Sequence, residues 1–261
     1  MTSSATARRP AGQLLRDWRQ RRRLSQLELS IQADISTRHL SFVETGRARP
    51  SRELLLHLAE ELGLALRDRN HLLLAAGYAP VYSELALEAP EMTAVRTAVG
   101  QILTGHEPYP AVVVDRGWNL VEGNAAVAMF TAAAAPELLE PPVNVLRASL
   151  HPDGMAGRIV NLGEWRAHLL GRLRRQLELS GDAELAALYD ELAGYPGGAP
   201  EPHGLPAGGL VTPLRIRHGD GELAFISTVA TFGTPLDVTV AELMIESFFP
   251  ADAVTAAVLR R

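Results

Sequence analysis

The chain has 261 residues, 47% hydrophobic and 21% charged, with no cysteine and a formal net charge of −5. That is enough chain for one large domain or two ordinary ones with their own cores, and it excludes a disordered polymer. The lack of thiols excludes disulfides, thiolate metal sites and cysteine nucleophiles, and fits a reducing cytoplasm.

The first eleven residues are small and polar and predict a flexible N-terminal arm. Leu14, Leu15 and Trp18, spaced three and four apart, predict an amphipathic helix over 12–22. Ser25 and Glu28 form a capping box that opens a second helix reaching about Gln32 or Ala33. After a turn at Asp34 and Ile35, Ser36 caps a third helix carrying Leu40 and Val43 on one face, stopped by Thr45 and Gly46. Ser51 starts a fourth helix with Leu54, Leu55, Leu58 and Leu62, and a fifth covers Arg67 to Ala76. Such short helices need one another for stability.

The punctuated run APVYSELALEAP (79–90) predicts a linker. A helix over about 91–104 follows, then short strands at Ala111 to Val114 and Trp118 to Val121, and an alanine-rich helical stretch opened by Asn124. Trp165, Leu169, Leu173 and Leu177 recur every fourth residue and mark a long amphipathic helix. The segment 196–209, with its concentration of proline and glycine, is either a lid over a pocket or a plain surface loop. Val211 to Arg217 and Glu222 to Phe232 flank His218-Gly219-Asp220-Gly221 and predict a hairpin. Thr239 and Glu242 resemble a second capping box and predict a final helix carrying Val240, Leu243 and Ser247 to Phe249, with a C-terminal tail over 253–261. The fold class expected is therefore multi-domain. It comprises an all-α five-helix domain over 12–78 and an α/β domain over 91–252 with a small antiparallel sheet.

The net charge conceals an asymmetry. Met1 to Tyr78 holds 13 Arg and 8 acids, whereas the remainder holds 12 Arg and 22 acids. The chain has no lysine, so each fixed side-chain cation is a guanidinium, suited to bidentate contact with phosphate and guanine. A basic module facing a polyanion, joined to an acidic module with another task, fits this distribution. Gly123 to Pro136, one of the longest uncharged stretches, has 14 residues and is too short to span a bilayer, and the N-terminus lacks the apolar core of a signal peptide. We expect a cytoplasmic protein with no membrane partner.

The helices starting at Gln26 and Thr37 are separated by three or four residues, the spacing of a helix-turn-helix. The runs LRDWR (15–19), LSQLELS (24–30), ISTRHLSFVETGRARPS (35–51) and LLLHLAEELGL (54–64) resemble the Cro/CI-type, or XRE-type, repressors, which have a lambda-repressor-like fold. The resemblance implies that Gln26 contacts phosphate and braces the recognition helix. It places Ser36, Thr37, Arg38 and Phe42 on that helix's exposed face, Arg47 and Arg49 against backbone phosphate, and Arg19 and Glu44 in a buried structural pair. Arg38 has the chemistry to read guanine, while Thr37 and Phe42 can touch a thymine methyl. Two departures stand out: Asp34 occupies the turn position where glycine is usual, and Ser30 replaces a small alanine at the helix contact.

Further along, RNHLLLAAGYAP (69–80), PAVVVDRGWNLVEGNAA (110–126), NVLRASLHPDGMAGRIVNLGEW (144–165) and LAFISTVATFGTPLDVTVAELMIESFFPAD (223–252) complete a likeness that covers nearly the whole chain. It resembles the MmyB-like transcription regulators, in which the helix-turn-helix precedes a PAS-like ligand-binding domain and fatty-acid-like ligands have been suggested. Apolar candidates for lining a pocket are Val112, Val114, Trp118, Phe130, Trp165, Leu169, Phe225, Ile226 and Phe232; each can equally be plain core. Polar candidates are Asn124, Arg147, His151 and Asn161, of which Asn124 can instead cap a helix and His151 can belong to a turn.

Enzyme signatures are absent: there is no GxSxG, HExxH, GxxxxGK[ST] or GxGxxG, and the eight histidines lack metal-ligand spacing. No cofactor, metal or catalytic residue is indicated. The reading is a homodimeric regulator that binds a palindromic double-stranded DNA operator and senses a small apolar or fatty-acid-like ligand. Two alternatives stay open: a second domain that only dimerises or docks a protein, and an uncharacterised enzyme domain.

Overall fold

The computed structural model describes residues 9–132, 134–197 and 211–260. The chain divides into two compact units, one reaching Leu85 and including Thr234–Ala241, the other comprising Ala86–Gly233 and Glu242 onward.

The first unit contains the five expected helices: α1 (Ala11–Arg21), α2 (Gln26–Gln32), α3 (Thr37–Glu44), α4 (Arg52–Glu61) and α5 (Leu66–Ala75). Side-chain caps start three of them. Ser25 accepts from the Glu28 amide in a complete capping box, Ser36 from His39, and Ser51 from Leu54. Their apolar faces converge on a core of Leu15, Trp18, Leu29, Leu40, Leu55, Leu58, Leu72 and Leu73. At Gly12 the backbones of α1 and α3 approach so closely that a Cβ would lie 2.3 Å from the Val43 carbonyl oxygen.

Residues 79–85 are anchored rather than loose. The Asn70 carboxamide on α5 accepts from the Val81 and Tyr82 amides and donates to the Tyr82 carbonyl. Asp237 accepts from the Leu85 amide, and Ser83 bridges to Asp237.

The second unit opens with α6 (Thr93–Gly105) and contains, among the described residues, a five-stranded antiparallel sheet in the order β2-β1-β5-β4-β3. The strands are β1 (Ala111–Val114), β2 (Leu120–Gly123), β3 (Leu214–His218), β4 (Gly221–Thr231) and β5 (Met244–Pro250). Its helices are α7 (Ala128–Thr131), α8 (Val145–Leu150), α9 (Leu162–Ser180) and α10 (Ala183–Gly194). One face of the sheet packs with α6 through Val99, Leu103, Ala111, Val113 and Ile245. The opposite face builds the larger core from Val112, Leu214, Phe225 and Phe248 with Trp165, Leu169 and Leu173 of α9. Two-residue alternation in β1 and β5 separates these two cores.

Two expectations are corrected here. The final helix was expected to carry Val240, Leu243 and Ser247 to Phe249; instead α11 (Val238–Glu242) ends early and 244–250 is a strand paired on both sides, with β1 and β4. The acceptor at the α11 start is Asp237, which takes hydrogen bonds from the Thr239 and Val240 amides. A short apolar run does not distinguish helix from strand by periodicity, and two waiting strand edges decide the matter. The expected tail is also ordered: α12 (Ala253–Leu259) is capped by Asp252, and buried Thr255 accepts from the Ala224 amide of β4. Val258 and Leu259 pack on the larger core. The proposed lid segment 196–209 falls almost wholly outside the described residues, as does most of the N-terminal arm.

Candidate functional site

Two places bring chemistry together, one in each unit. In the first, α2 and α3 are held by a buried polar knot. Arg19 donates from Nε and Nη2 to the two oxygens of Glu44 at 2.6 and 2.8 Å, and from Nη1 to the Leu24 carbonyl. The fork-on-carboxylate hydrogen bond raises the Arg19 pKa above its ordinary value despite burial. Gln26 Nε2 adds a 2.7 Å hydrogen bond to Glu44 Oε2, tying the first turn of α2 to the last turn of α3. The departures at the turn are accommodated: Asp34 takes the left-handed conformation at φ 48°, and the Ser30 hydroxyl bonds the Leu27 carbonyl and the Thr37 hydroxyl.

This frame presents the exposed side of α3. Arg38 is exposed and its guanidinium lies 5.3 Å from the centre of the half-buried Phe42 ring. Arg47, exposed just beyond the helix, lies 6.0 Å from the same ring, while Arg49 rests 5.7 Å over Tyr78. Each contact fits a cation–π interaction. Ser36 sits at the exposed N-cap. Thr37 is half-buried with its hydroxyl engaged by Ser30, which leaves its methyl group for the thymine contact expected of it.

In the second unit a cavity of about 80 Å³ lies between the sheet and the helices α7, α8 and α9. Its walls are Val112, Leu120, Val127, Phe130, Val143, Val145, Leu146, Ala148, Met155, Trp165, Leu169, Leu214 and Phe248, with Thr131, Ser149 and Glu246 as the polar members. The space is several times what one water needs.

Of the expected ligand residues, Trp165 and Leu169 line this cavity, as do Val112 and Phe130. Phe225 stands one layer behind, edge-on to Phe130 at 5.5 Å. Trp118 is buried elsewhere in the same core, donating its indole N–H to Gln176 and carrying Arg172 over its ring at 4.6 Å. Asn124 is a structural brace: its oxygen accepts from the Ala111 amide, and its nitrogen donates to the Leu103 and Tyr109 carbonyls. Asn161 similarly ties Pro213 and Arg215 to the start of α9. Arg147 is locked in a bidentate pair with Glu191 at 2.8 Å and borders a separate polar cleft, while His151 packs edge-on to Tyr195. Phe232 belongs to the opposite face of the sheet. Sequence reasoning missed Glu246 and Phe248, because the run MIESFF was assigned to a helix. A lone acid in an otherwise apolar strand is the signal that would have found the first.

A family model described as the MmyB-like transcription regulator ligand binding domain matches residues 95–261, well over half of the chain. The chain belongs to the MmyB-like transcription regulators. A helix-turn-helix domain model matches residues 11–72 of this regulator. A search of curated proteins finds no match. Among solved structures, this MmyB-like chain is similar to the "Structure of an RNA-binding Light-Oxygen-Voltage Receptor" at 17% identity and a TM-score of 0.25. The alignment covers 98% of this chain and spans 62% of that one. The MmyB-like regulator described here thus joins a DNA-binding helix-turn-helix to an α/β ligand-binding domain, and among the described residues no helix is long and apolar enough to cross a membrane.

Proposed function

We propose that this regulator binds a palindromic operator as a homodimer, reads bases with α3, and changes its operator affinity when a small apolar or fatty-acid-like molecule enters the cavity of the second unit. The observation that carries the DNA reading is the pair of exposed guanidiniums, Arg38 and Arg47, gathered on Phe42 above a helix fixed from below by the Arg19–Glu44–Gln26 knot. Ser36 and Thr37 set the α3 N-terminus, and Arg49 adds phosphate affinity from the loop. One short recognition helix covers few base pairs, so two linked copies gain specificity and effective concentration. Regulation requires the ligand to bind the operator-competent state and its alternative with different affinities, since equal affinity shifts nothing. The protein acts in the cytoplasm and, on this reading, catalyses no reaction.

Selection of duplexes from a random pool by the full chain tests the proposal. Enrichment of a site with two symmetric half-sites spaced by about one helical turn is expected. Recovery of duplexes with no common sequence would contradict it.

A further inference from the structure

Thr234–Ala241 belongs to the unit of the helix-turn-helix, whereas the strands before and after it in sequence, β4 and β5, form part of the sheet of the other unit. Within the first unit this short excursion is clasped to residues 83–85. The Val238 amide donates to the Ser83 carbonyl at 2.8 Å, and Val238 is fully buried. The Leu85 amide donates to Asp237 Oδ2 at 3.1 Å and the Leu85 carbonyl accepts from the Thr239 hydroxyl at 2.8 Å, across 152 and 154 positions of sequence. Asp237 Oδ1 takes the Thr239 and Val240 amides, so one carboxylate both starts α11 and holds residue 85. With five residues, α11 is far too short to persist alone in water, and its helical state depends on these contacts.

The two ends of the clasp lead to the two places where chemistry gathers. On one side, buried Asn70 of α5 holds the Val81 and Tyr82 amides, and Tyr78 donates its hydroxyl to the Pro50 carbonyl at 3.0 Å in the loop that follows α3. The Tyr78 ring carries Arg49, the guanidinium assigned above to backbone phosphate. On the other side only Leu243 separates α11 from β5, whose Phe248 lines the cavity. Hydrogen bonds of the clasp's kind are individually modest on balance against water, so they can bias one arrangement over another and still be exchanged for solvent.

Resting on the ligand-responsive reading above, we infer that Thr234–Ala241 is the coupling strap of this regulator. Occupation of the cavity changes how the strap docks on residues 83–85, and that docking sets the position of Tyr78 and Arg49 at the operator. Asp237 and Thr239 are positioning residues: they lie outside the cavity lining and act through the linker they hold. The ligand shifts the strap because it binds the two docked arrangements with different affinities.

Anisotropy titration of the selected duplex with the full chain, with and without saturating octanoate, provides the test, cavity occupancy being followed by calorimetry. The unchanged chain should show operator affinities that differ by about fivefold or more. Asp237→Ala/Thr239→Val, which removes both side-chain bonds of the clasp, should bind octanoate as the unchanged chain does and lose that difference. Thr239→Val alone, which leaves the start of α11 intact, should lose part of it. Hydrogen exchange of the unchanged chain supplies a readout that needs no variant: the peptides covering 83–85 and 234–241 should alter their protection when octanoate is added. A full response in the double variant, or exchange unmoved in both peptides while octanoate alters operator affinity, would overturn the strap and leave the ligand-responsive reading standing. Equal operator affinities in the unchanged chain with the cavity filled, or failure of octanoate to bind, would overturn that reading and the strap together.

Discussion

Arg38 and Arg47 share one aromatic platform, yet the tasks proposed for them differ. Arg38 projects from α3, the helix proposed to face the bases, so Arg38→Ala should relax preference at one base pair, at a cost of about 1–3 kcal/mol against the best site. Arg47 lies in the following loop, so Arg47→Ala should weaken all duplexes alike and reduce the salt slope by about 1. Gel-shift titrations on matched and mismatched duplexes at several salt concentrations separate the two; equal effects on both duplexes for Arg38→Ala would contradict base reading. The supporting residue is Glu44. It is almost fully buried and receives Arg19 and Gln26 together. Glu44→Gln leaves a buried guanidinium without its counter-charge and should destabilise the first unit by about 3–5 kcal/mol, measured by urea unfolding. The buried Arg19–Glu44 pair and the exposure of Arg38 and Arg47 were legible from the sequence because the helix-turn-helix pattern fixes them by position. The hydrogen bond that draws Thr37 back to Ser30 was not, since it depends on the serine that replaces alanine at that contact.

At the scale of elements, the helices of the first unit were readable because each carries its own punctuation: Ser25, Ser36 and Ser51 at the starts, Gly46 and Gly63 beyond the ends. The second unit was harder. β5 gains its identity from partners distant in sequence, with Ala111 opposite Ser247 and Phe225 opposite Pro250, and nothing local to MIESFFP announces a strand. Two members of the cavity wall, Glu246 and Phe248, were missed for the same reason, since both lie on β5. Arg147, a polar candidate for the pocket, pairs with Glu191 and ties α8 to α10. The hydrogen bond from Arg147 holds the Glu191 carboxyl below its ordinary value of 4.5, and Tyr195, half-buried and donating to Glu191, is pushed up to about 12. A carboxylate depressed on folding contributes stability that is complete above its unfolded value and lost as pH falls through the folded one. Glu191→Gln should therefore lower the melting temperature at pH 7 by a modest amount, as suits a partly exposed pair, and by less at pH 3. A difference that grows on acidification would contradict this account.

For the whole molecule, the charge division along the chain was informative: a basic first segment coincides with the helix-turn-helix match and an acidic remainder with the ligand-binding domain. Composition does not, however, say how a ligand reaches the operator, because that coupling is a difference between two states. A coupling free energy of useful size corresponds to about a 5- to 150-fold change in affinity. The most direct measurement is the fluorescence anisotropy of the selected duplex titrated with the full chain, with and without a saturating medium-chain fatty acid such as octanoate, occupancy being verified in parallel by calorimetry. The account predicts apparent Kd values that differ by about fivefold or more. Identical values with the cavity demonstrably filled would contradict it.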